Sequence, residues 1–424
     1  MLLPPSKYLF FFLFLERKSE VLSSLSSLQV VLDVSPPPLG RLVVEGSLLI
    51  NSSSVNLSAV YIEIKGGTLA IAKFDVGGNV IGAYDGNCTI SLLGTNDCMA
   101  RLYGKDPRYT PAVKLGIQGL RLGAGVLGVF GTLLVIGKPK GKVWVDLART
   151  SLAGDDFLVL DTLVDWAIGS EIAIAPSDFE PHEAETHIIR SVQNQFHDQE
   201  WRSVLNLTRP LQFNHYAGSW EVYGTRRIRM RAEVGLLTQN IVITGGGEGE
   251  ETFYTSWNSP SPTEMSPVCG NKACEAGETS ETCTSDCRGP LFEYGASIYV
   301  STYSEDAVLC SKEGACNGKF RRTFVGKINA TNIELRYFGQ NNLQAGMVLE
   351  NLTESNFVGN ISFNKGYNGA VLIKSCNGLQ FRNSVIFRSI LPAVEVSGGT
   401  ENHIVDVLAM SGIFWGSHRG AIMV

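Results

Sequence analysis

The amino-acid sequence predicts an all-β protein built mainly as a right-handed parallel β-helix, or solenoid, with a small disulfide-rich insertion. Three observations favour this fold class. Charged residues form 18% of the 424-residue chain, whereas average soluble domains contain roughly 25%. The chain also contains 45 glycines, which is typical of short strands separated by tight turns. The third observation is an internal repeat in the C-terminal third of the chain.

The repeat has a period of 23 residues and aligns residues 346–348 with residues 369–371 and 392–394. A β-rich repeat of this length predicts a solenoid, in which successive coils stack about 4.8 Å apart as parallel sheet and like residues stack on like. We expect one such solenoid across most of residues 30–424. The predicted columns are Asn360, Asn383 and Asp406; Val358, Phe381 and Ile404; Phe363, Ile386 and Ala409; and Phe357, Gln380 and His403.

The N-terminal segment only partly fits a secretory leader. Residues 8–15 (YLFFFLFL) follow Lys7 as the apolar part of a signal peptide does, but no small-residue cleavage site follows them. This run is too short for a membrane span, which needs about 20 apolar residues. We therefore expect the true leader and a membrane anchor to lie in sequence outside these 424 residues.

Five motifs carry a resemblance to a known family. They are VVLDVSPPPLGRLVVEG (residues 30–46), YIEIKGGTLAIA (61–72), LGVFGTLLVIGKP (127–139), WAIGSEIAIAPSDFEPHEAE (166–185) and RAEVGLLTQNIVITG (231–245). In this order and spacing they resemble the G-eight domain, named for its eight glycines. That family is found in fibrocystin-like cell-surface receptors and in hyaluronan-degrading proteins. The resemblance implies an extracellular protein associated with glycans, and it implies parallel β-helix repeats after the domain.

The resemblance and the composition together divide the chain into four segments. These are a leader segment (residues 1–25), a G-eight domain (26–247), a linker with a Cys-rich insertion (248–290) and parallel β-helix repeats (291–424). We expect the insertion to loop out of the solenoid. Residues 295–301 and 327–339 are then expected to continue the sheet that residues 241–244 leave.

Glycosylation sequons and cysteines both indicate the secretory pathway. Seven Asn-x-Ser/Thr sites predict a glycoprotein: Asn51, Asn56, Asn87, Asn206, Asn329, Asn351 and Asn360. Four cysteines lie close together and form a tetrad: Cys269, Cys274, Cys283 and Cys287. Their spacing favours two disulfides in a module too small to have a core of its own. Zinc is the alternative to the two disulfides: Cys283-x3-Cys287 has zinc-like spacing, whereas Cys274-x8-Cys283 does not.

The other cysteines suggest local pairs, Cys88 with Cys98 and Cys310 with Cys316, and leave Cys376 as a buried free thiol. No cofactor is expected. A calcium site in the tetrad loop is an alternative, although a solvated acidic loop is the favoured interpretation; its ligands would be Glu275, Glu278 and Asp286.

The densest group of candidate catalytic side chains lies between residues 178 and 187. Asp178, His182 and Glu185 are the candidates, because carboxylates and histidines perform acid–base chemistry on polysaccharides. In an extended strand Glu183, Glu185 and His187 share one face, opposite His182 and Ala184. A charged, exposed loop after a strand is the favoured alternative.

Two departures from the hyaluronan-degrading branch argue against catalysis. Those relatives carry a Gly-Gly-His turn where this chain has Gly295-Ala296-Ser297. They also carry a His-Phe-His cluster shortly after a Gly-Gln motif, whereas residues 341–355 here contain no histidine. The resemblance is therefore closer to the receptor-like branch.

Three functions follow as hypotheses. The first is a non-enzymatic recognition or adhesion module with an extracellular glycan or protein ligand. The second is a polysaccharide hydrolase, and the third is a structural spacer. A nucleic-acid partner is not expected, because the net charge is −6 and the only basic run, residues 226–231, is interpreted first as the solvent face of a strand and second as an anion-binding patch.

Overall fold

A computed structural model gives the fold of this protein. It describes residues 21–24, 29–51, 54–93, 114–115, 120–122, 125–178, 180, 183–197, 199–222, 226–245, 295–310, 316–340, 344–353, 356–410 and 422–423. Every named element in these ranges is a β-strand, which confirms the all-β prediction. The same ranges contain no helix that is long and apolar enough to cross a membrane.

Nineteen strands pair in parallel as the stacked coils of a solenoid. They are β1 (Val21–Ser24), β2 (Gln29–Leu32), β3 (Leu39–Val44), β4 (Ser47–Ile50), β5 (Ser54–Ile71), β8 (Asn87–Leu92), β11 (Val126–Ile136), β20 (Ile241–Gly245), β21 (Ser297–Ser301), β24 (Lys327–Thr331), β25 (Glu334–Phe338), β26 (Met347–Glu350), β27 (Phe357–Gly359), β28 (Ser362–Gly366), β29 (Val371–Asn377), β30 (Gln380–Phe387), β31 (Val394–Thr400), β32 (His403–Met410) and β33 (Ile422–Met423). The solenoid prediction is confirmed.

The register of the coils confirms most of the predicted repeat. Val358 pairs with Phe381 and then Ile404, and the columns of Phe363 and of His403 also form as predicted. One alignment differs by a residue, because Met347 pairs with Val371 rather than with Ala370. Phe357 follows Met347 by ten positions, whereas Gln380 follows Val371 by nine, so the register shifts by one residue between these strand pairs.

Asparagines form a ladder along one turn of the coils. Asn360 donates from Nδ2 to Asn332 Oδ1 at 3.1 Å, and Asn383 donates to Asn360 Oδ1 at 2.6 Å. Asn332, Asn360, Asn383 and Asp406 all have a positive φ of 45–55°. Asn and Asp tolerate this left-handed backbone better than other residues with a Cβ. The turn chemistry therefore explains the predicted Asn/Asn/Asp column.

Residues 144–236 depart from the expected continuous solenoid and include a second, six-stranded sheet in which the strands pair antiparallel. We call this sheet the antiparallel layer. In spatial order it consists of β12 (Trp144–Asp146), β19 (Glu233–Leu236), β14 (Glu171–Ile174), β15 (Glu185–His197), β16 (Glu200–Leu207) and β13 (Phe157–Val159). It has a hydrophobic core of its own.

Four strand pairs complete the described structure. They are β6 (Lys73–Phe74) with β7 (Val80–Gly82), β9 (Lys114–Leu115) with β10 (Leu120–Arg121), β17 (Ala217–Val222) with β18 (Arg226–Arg231), and β22 (Tyr303–Cys310) with β23 (Cys316–Phe324). The β17–β18 pair contains the basic run, which confirms that the run lies on a strand.

The antiparallel layer packs on the outer face of the solenoid. Val385, Phe387 and Met410 of the coils form a cluster with apolar residues of the layer. A Cβ added to Gly235 would lie only 2.7 Å from Val385, so glycine allows this close approach. Asn364 adds a polar link, since its Nδ2 donates to Glu171 of the layer at 3.0 Å and to Glu334 of the solenoid at 3.3 Å.

The chain leaves the layer through β20, which pairs with β8 on one side and with β25 on the other. The predicted continuation of the sheet from residues 241–244 is thus confirmed for residues 334–338, whereas residues 327–331 pair with β11. Residues 297–301 instead continue the sheet of β11. The segment 246–294, with the predicted linker and tetrad, lies outside the described residues.

The ladder generates a test of the solenoid. We expect Asn383→Ala to lower the free energy of unfolding by about 2 kcal/mol, because alanine loses the hydrogen bond to Asn360 and strains the left-handed backbone. Asn383→Gly tolerates that backbone and should lose about half as much. Urea unfolding measures both, with Ser397→Ala on an exposed strand position as control. An Asn383→Ala variant as stable as the control would contradict the ladder's role.

Candidate functional site

A surface pocket of about 470 Å³ opens on the antiparallel layer. Two loops form most of it, one after β14 and one between β16 and β17, and Ala153 from the connection between β12 and β13 completes the wall. Carboxylates, amides and one aromatic ring line the pocket, which together suit hydrogen bonding and stacking. The lining residues are Ala153, Ser177, Asp178, Glu183, Gln212, Phe213 and Asn214.

The two loops are tied to each other by short polar contacts. Ser177 Oγ donates to the Asn214 carbonyl at 3.2 Å and accepts from the backbone N–H of Tyr216 at 2.9 Å. Asn214 Oδ1 accepts from the backbone N–H of Ala153 at 2.8 Å. These bonds fix three walls of the pocket relative to one another, so the pocket is largely preformed.

A buried cluster of Glu185, His187 and His215 anchors the same two loops; we call it the carboxylate–histidine cluster. Glu185 accepts from the backbone N–H groups of Gln212 and Phe213 at 3.0–3.2 Å. His215 lies 2.9 Å from Glu185 through Nε2 and 2.9 Å from the Ala175 carbonyl through Nδ1. His215 therefore links the β14 loop to the loop that carries Gln212 and Phe213.

The electrostatics of the carboxylate–histidine cluster keep Glu185 ionised. Burial alone raises the pKa of Glu185, but hydrogen bonds from His187 and His215, and from the backbone of Gln212 and Phe213, outweigh it and lower the pKa to about 2. His187 Nε2 lies 2.7 Å from Glu185 Oε2. With both oxygens occupied, Glu185 serves as a structural anchor and has no proton to donate near neutral pH.

The structure thus separates the three predicted catalytic candidates. Asp178 lines the pocket, Glu185 lies beneath it, and His182 lies outside the described residues. The favoured expectation of an exposed charged loop is wrong for Glu185 and His187, which are 7% and 2% exposed. Burial became possible because His215, thirty positions away from Glu185, supplies a partner for the carboxylate.

Sequence reasoning missed the loop that completes the pocket. His215 was not singled out, and neither were Gln212, Phe213 and Asn214. The available signal was a histidine close to two amides and an aromatic residue just after Pro210. No local pattern indicates that this loop packs beside the end of β14.

Ser297, where the resemblance to hyaluronan-degrading proteins predicts a histidine, lies beside the segment that follows Gly339-Gln340. Ser297, at the start of β21, is fully buried, and its Oγ lies 2.8 Å from the Ala345 carbonyl and 3.1 Å from Gln344 Oε1. Gln344 Nε2 donates to the Leu122 carbonyl at 3.2 Å. A structural hydrogen-bond network therefore occupies this place in the described part of the chain.

Another polar row lies on the outer face of the solenoid. Arg41 forms an ion pair with Glu63, which is 1% exposed. In the same sheet, the hydroxyl group of Tyr299 donates a hydrogen bond to Glu350. Burial and the neighbouring Glu350 carboxylate raise the pKa of Tyr299 well above its ordinary value, so the proton stays on the phenolic hydroxyl group. Each of the two carboxylates therefore has a partner in the folded protein, whereas the buried Nε of Arg41 has no hydrogen-bond partner.

The predicted disulfide and calcium sites lie mostly outside the described residues. This applies to the whole tetrad, to its calcium alternative (Glu275, Glu278 and Asp286) and to Cys98. The described cysteines Cys88 and Cys376 are buried free thiols, which agrees with the prediction for Cys376 but not with the predicted pairing of Cys88 with Cys98. The backbone places Cys310 opposite Cys316 in the β22–β23 hairpin. The pairings within the tetrad and between Cys310 and Cys316 stay predictions, and the described residues contain no metal-binding group of three or more His, Cys, Asp or Glu side chains.

The sequons occupy two kinds of position. Asn51, Asn56, Asn87, Asn329 and Asn351 are exposed, whereas Asn206 and Asn360 are half-buried. Asn206 Nδ2 donates a hydrogen bond to Ser191 Oγ at 2.8 Å. Asn360 uses both the nitrogen and the oxygen of its side-chain amide in the ladder. A glycan on Asn360 Nδ2 would compete with the ladder, so the exposed sites are the better acceptors; glycosylation itself stays a prediction.

The carboxylate–histidine cluster generates a pH test. We expect Glu185→Gln to lower the free energy of unfolding by about 3 kcal/mol at pH 7, the equivalent of a pKa depressed from about 4.5 to about 2. Because the folded pKa is the lower one, this contribution is present above about pH 4.5 and disappears as the pH falls towards 2. Urea unfolding at pH 7, 4 and 2.5 measures it, with exposed Glu180→Gln as control. A difference that persists undiminished at pH 2.5 would contradict the assignment.

Comparisons with known proteins agree with the motifs. Residues 25–148 match the family model of the G8 domain. The chain is 24% identical over 407 residues to human fibrocystin-L, covering 90% of this chain and 8% of that protein. It is 31% identical over 127 residues to dog fibrocystin, covering 30% of this chain and 3% of that protein. The chain therefore spans less than a tenth of the length of these relatives.

Among solved structures, the tailspike of Acinetobacter baumannii bacteriophage AP22, solved with a capsular saccharide, aligns over 87% of this chain and 41% of its own, at 9% identity and a TM-score of 0.19. The family match ends at residue 148, so the extension of the domain to residue 247 stays a prediction. The resemblance drawn from the sequence motifs is confirmed by the family match: residues 25–148 are a G8 domain, in a chain similar to fibrocystin-L and fibrocystin.

Proposed function

We propose that this chain is an extracellular or cell-surface recognition module that binds a glycan without cleaving it. The similarity to fibrocystin-L and fibrocystin supports a receptor-like module. The preformed pocket on the antiparallel layer carries the glycan part of the proposal. Its walls are tied through the carboxylate–histidine cluster, so a ligand meets a site that costs little to order.

The chemistry of the pocket favours a neutral saccharide. Asp178 and Glu183 supply acceptors for pairs of sugar hydroxyls, Gln212 and Asn214 supply amides, and Phe213 offers an apolar face. Two carboxylates repel an anionic polymer such as hyaluronan, and the net charge of −6 gives no long-range attraction for one.

The absence of turnover is supported by what occupies the relatives' histidine positions. Ser297 is buried and bonded to the Ala345 carbonyl, so this place offers neither a proton shuttle nor an imidazole ligand. Glu185, the other carboxylate in the candidate group, is held ionised by its histidine partners. General acid catalysis requires a group that carries a proton near the working pH.

A glycoside hydrolase is the second candidate function, and one observation favours it. Asp178 and Glu183 both line the pocket, and glycoside hydrolases use two facing carboxyl groups. In the proposal these carboxylates bind hydroxyl groups and perform no proton transfer.

The hydrolase candidate is tested directly on polymer. We expect the secreted chain to leave the length of high-molecular-weight hyaluronan, and of a neutral galactomannan, unchanged with or without calcium. Size-exclusion chromatography with light scattering measures the polymer length. A fall in length that disappears in both Asp178→Asn and Glu183→Gln variants would establish the hydrolase and refute the proposal.

Binding is tested with a matched pair of variants. On an array of neutral and acidic oligosaccharides, we expect the chain to bind neutral structures and Asp178→Asn to bind them at least tenfold more weakly, because it loses a charged acceptor. Glu180→Gln removes a charge from the same exposed segment without touching the pocket wall, and should bind as the unaltered chain does. Equal binding by both variants, or binding of acidic structures only, would refute the pocket assignment.

A further inference from the structure

The hairpin formed by β15 and β16 extends beyond the core that supports it. Near its base Ile189, Leu205 and Leu207 are buried in the core of the antiparallel layer, and Val192 packs against them. The apolar core ends at Ser203, a buried polar residue. Its Oγ donates to Asn194 Oδ1 at 2.9 Å and accepts from the backbone N–H of Val164 at 3.0 Å. The strands continue past this point into solvent.

Two aromatic side chains lie opposite each other on the projecting part of the hairpin. Phe196 pairs with Trp201 across the strands, and the ring centroids lie 5.7 Å apart at an interplanar angle of 63°. Phe196 is 62% exposed and Trp201 is 59% exposed. Large aromatic residues are usually mostly buried, so an exposed pair on a projecting hairpin indicates a contact surface.

We infer that Phe196 and Trp201 form a stacking platform for a neutral saccharide, an inference that rests on the proposed glycan-binding function and adds a second contact to the pocket. The apolar C–H face of a pyranose ring packs on an aromatic face, while its hydroxyls need polar partners around the rim. Asn194 shares a strand face with Phe196 and is exposed, so its amide stands beside the platform.

The size of the platform favours a saccharide over a protein. Aromatic side chains present about 150–250 Å² each, so the two partly exposed rings offer roughly 250 Å² together. A stable protein interface needs about 800 Å² on each partner. One or two sugar rings match the smaller area.

The charges around the platform favour a neutral ligand. Among the described side chains at the tip, the charged ones are Glu200 and Arg202, which lie on the other strand face and form an ion pair at 3.6 Å. Gln193 and Gln195 on that face are neutral amides, joined by a hydrogen bond of 3.3 Å. These described groups give no unbalanced positive charge to attract an acidic sugar.

A structural role alone is the competing explanation, because a cross-strand aromatic pair stabilises a hairpin by roughly 0.2–1 kcal/mol. The two roles differ in what the variants lose. A pair that only stabilises the hairpin affects unfolding and leaves ligand binding unchanged. A platform affects binding even in a variant that keeps the fold.

The test uses the full chain on an array of oligosaccharides ending in galactose, mannose or N-acetylglucosamine, with thermal unfolding of every variant. We expect Trp201→Ala and Phe196→Ala to bind at least tenfold more weakly, and Trp201→Phe, which keeps an aromatic face, to lose less than threefold. Ile168→Ala serves as control. Ile168 is apolar and 70% exposed, and it lies between β13 and β14, outside the hairpin, so this variant should bind normally. Intrinsic tryptophan fluorescence should change on binding in the unaltered chain and change less in Trp201→Phe.

The outcomes separate this inference from the proposed function. Normal binding by folded Trp201→Ala, together with loss in Asp178→Asn, would overturn the platform and leave the pocket in place. Absence of glycan binding by the unaltered chain would overturn both. If light scattering instead finds a dimer that Trp201→Ala converts to a monomer while glycan binding is unchanged, the hairpin tip binds a second copy of the chain and the platform is refuted.

Discussion

Parallel stacking of the coils is the constraint on which the rest of the structure depends. Strand β11 pairs with β5 on one side and with both β21 and β24 on the other, so it joins the N-terminal coils to the C-terminal ones. Its backbone donors and acceptors are satisfied only when both neighbours are in place, and unpaired buried backbone groups are costly. The interior is a single hydrophobic core that runs through the coils from Leu39 to Val394.

The solenoid supplies a rigid base, and the antiparallel layer carries the proposed site on it. Val385, Phe387 and Met410 of the coils hold the layer, and Gly235 allows the two backbones to approach. Within the layer, the buried charge of Glu185 fixes the loops around the pocket. Losing one partner of a buried charge leaves the other uncompensated, which is why this cluster is expected to be sensitive to substitution.

Sequence patterns predicted what repeats and missed what depends on distant pairing. The columns of Val358 and Asn360 were visible because coil stacking places like residues at a fixed interval. The antiparallel layer was not predicted, since strands of alternating apolar residues can pair in either direction and only the fold selects one. Burial of Glu185 was also missed, because it depends on His215, a residue that no local spacing connects to it. Asp178 was identified correctly as exposed at the turn after a strand, but its neighbours Phe213 and Asn214 come from another loop.

The central claim is that ligand recognition takes place on the antiparallel layer and that the solenoid only supports it. Hydrogen–deuterium exchange with and without the strongest-binding oligosaccharide from the array tests this claim most directly. We expect slower exchange in residues 212–214 and in residues 194–197 and 199–203 of the hairpin, with unchanged exchange in β26 and β29. Protection confined to β26 and β29, on the outer face of the solenoid, would contradict it.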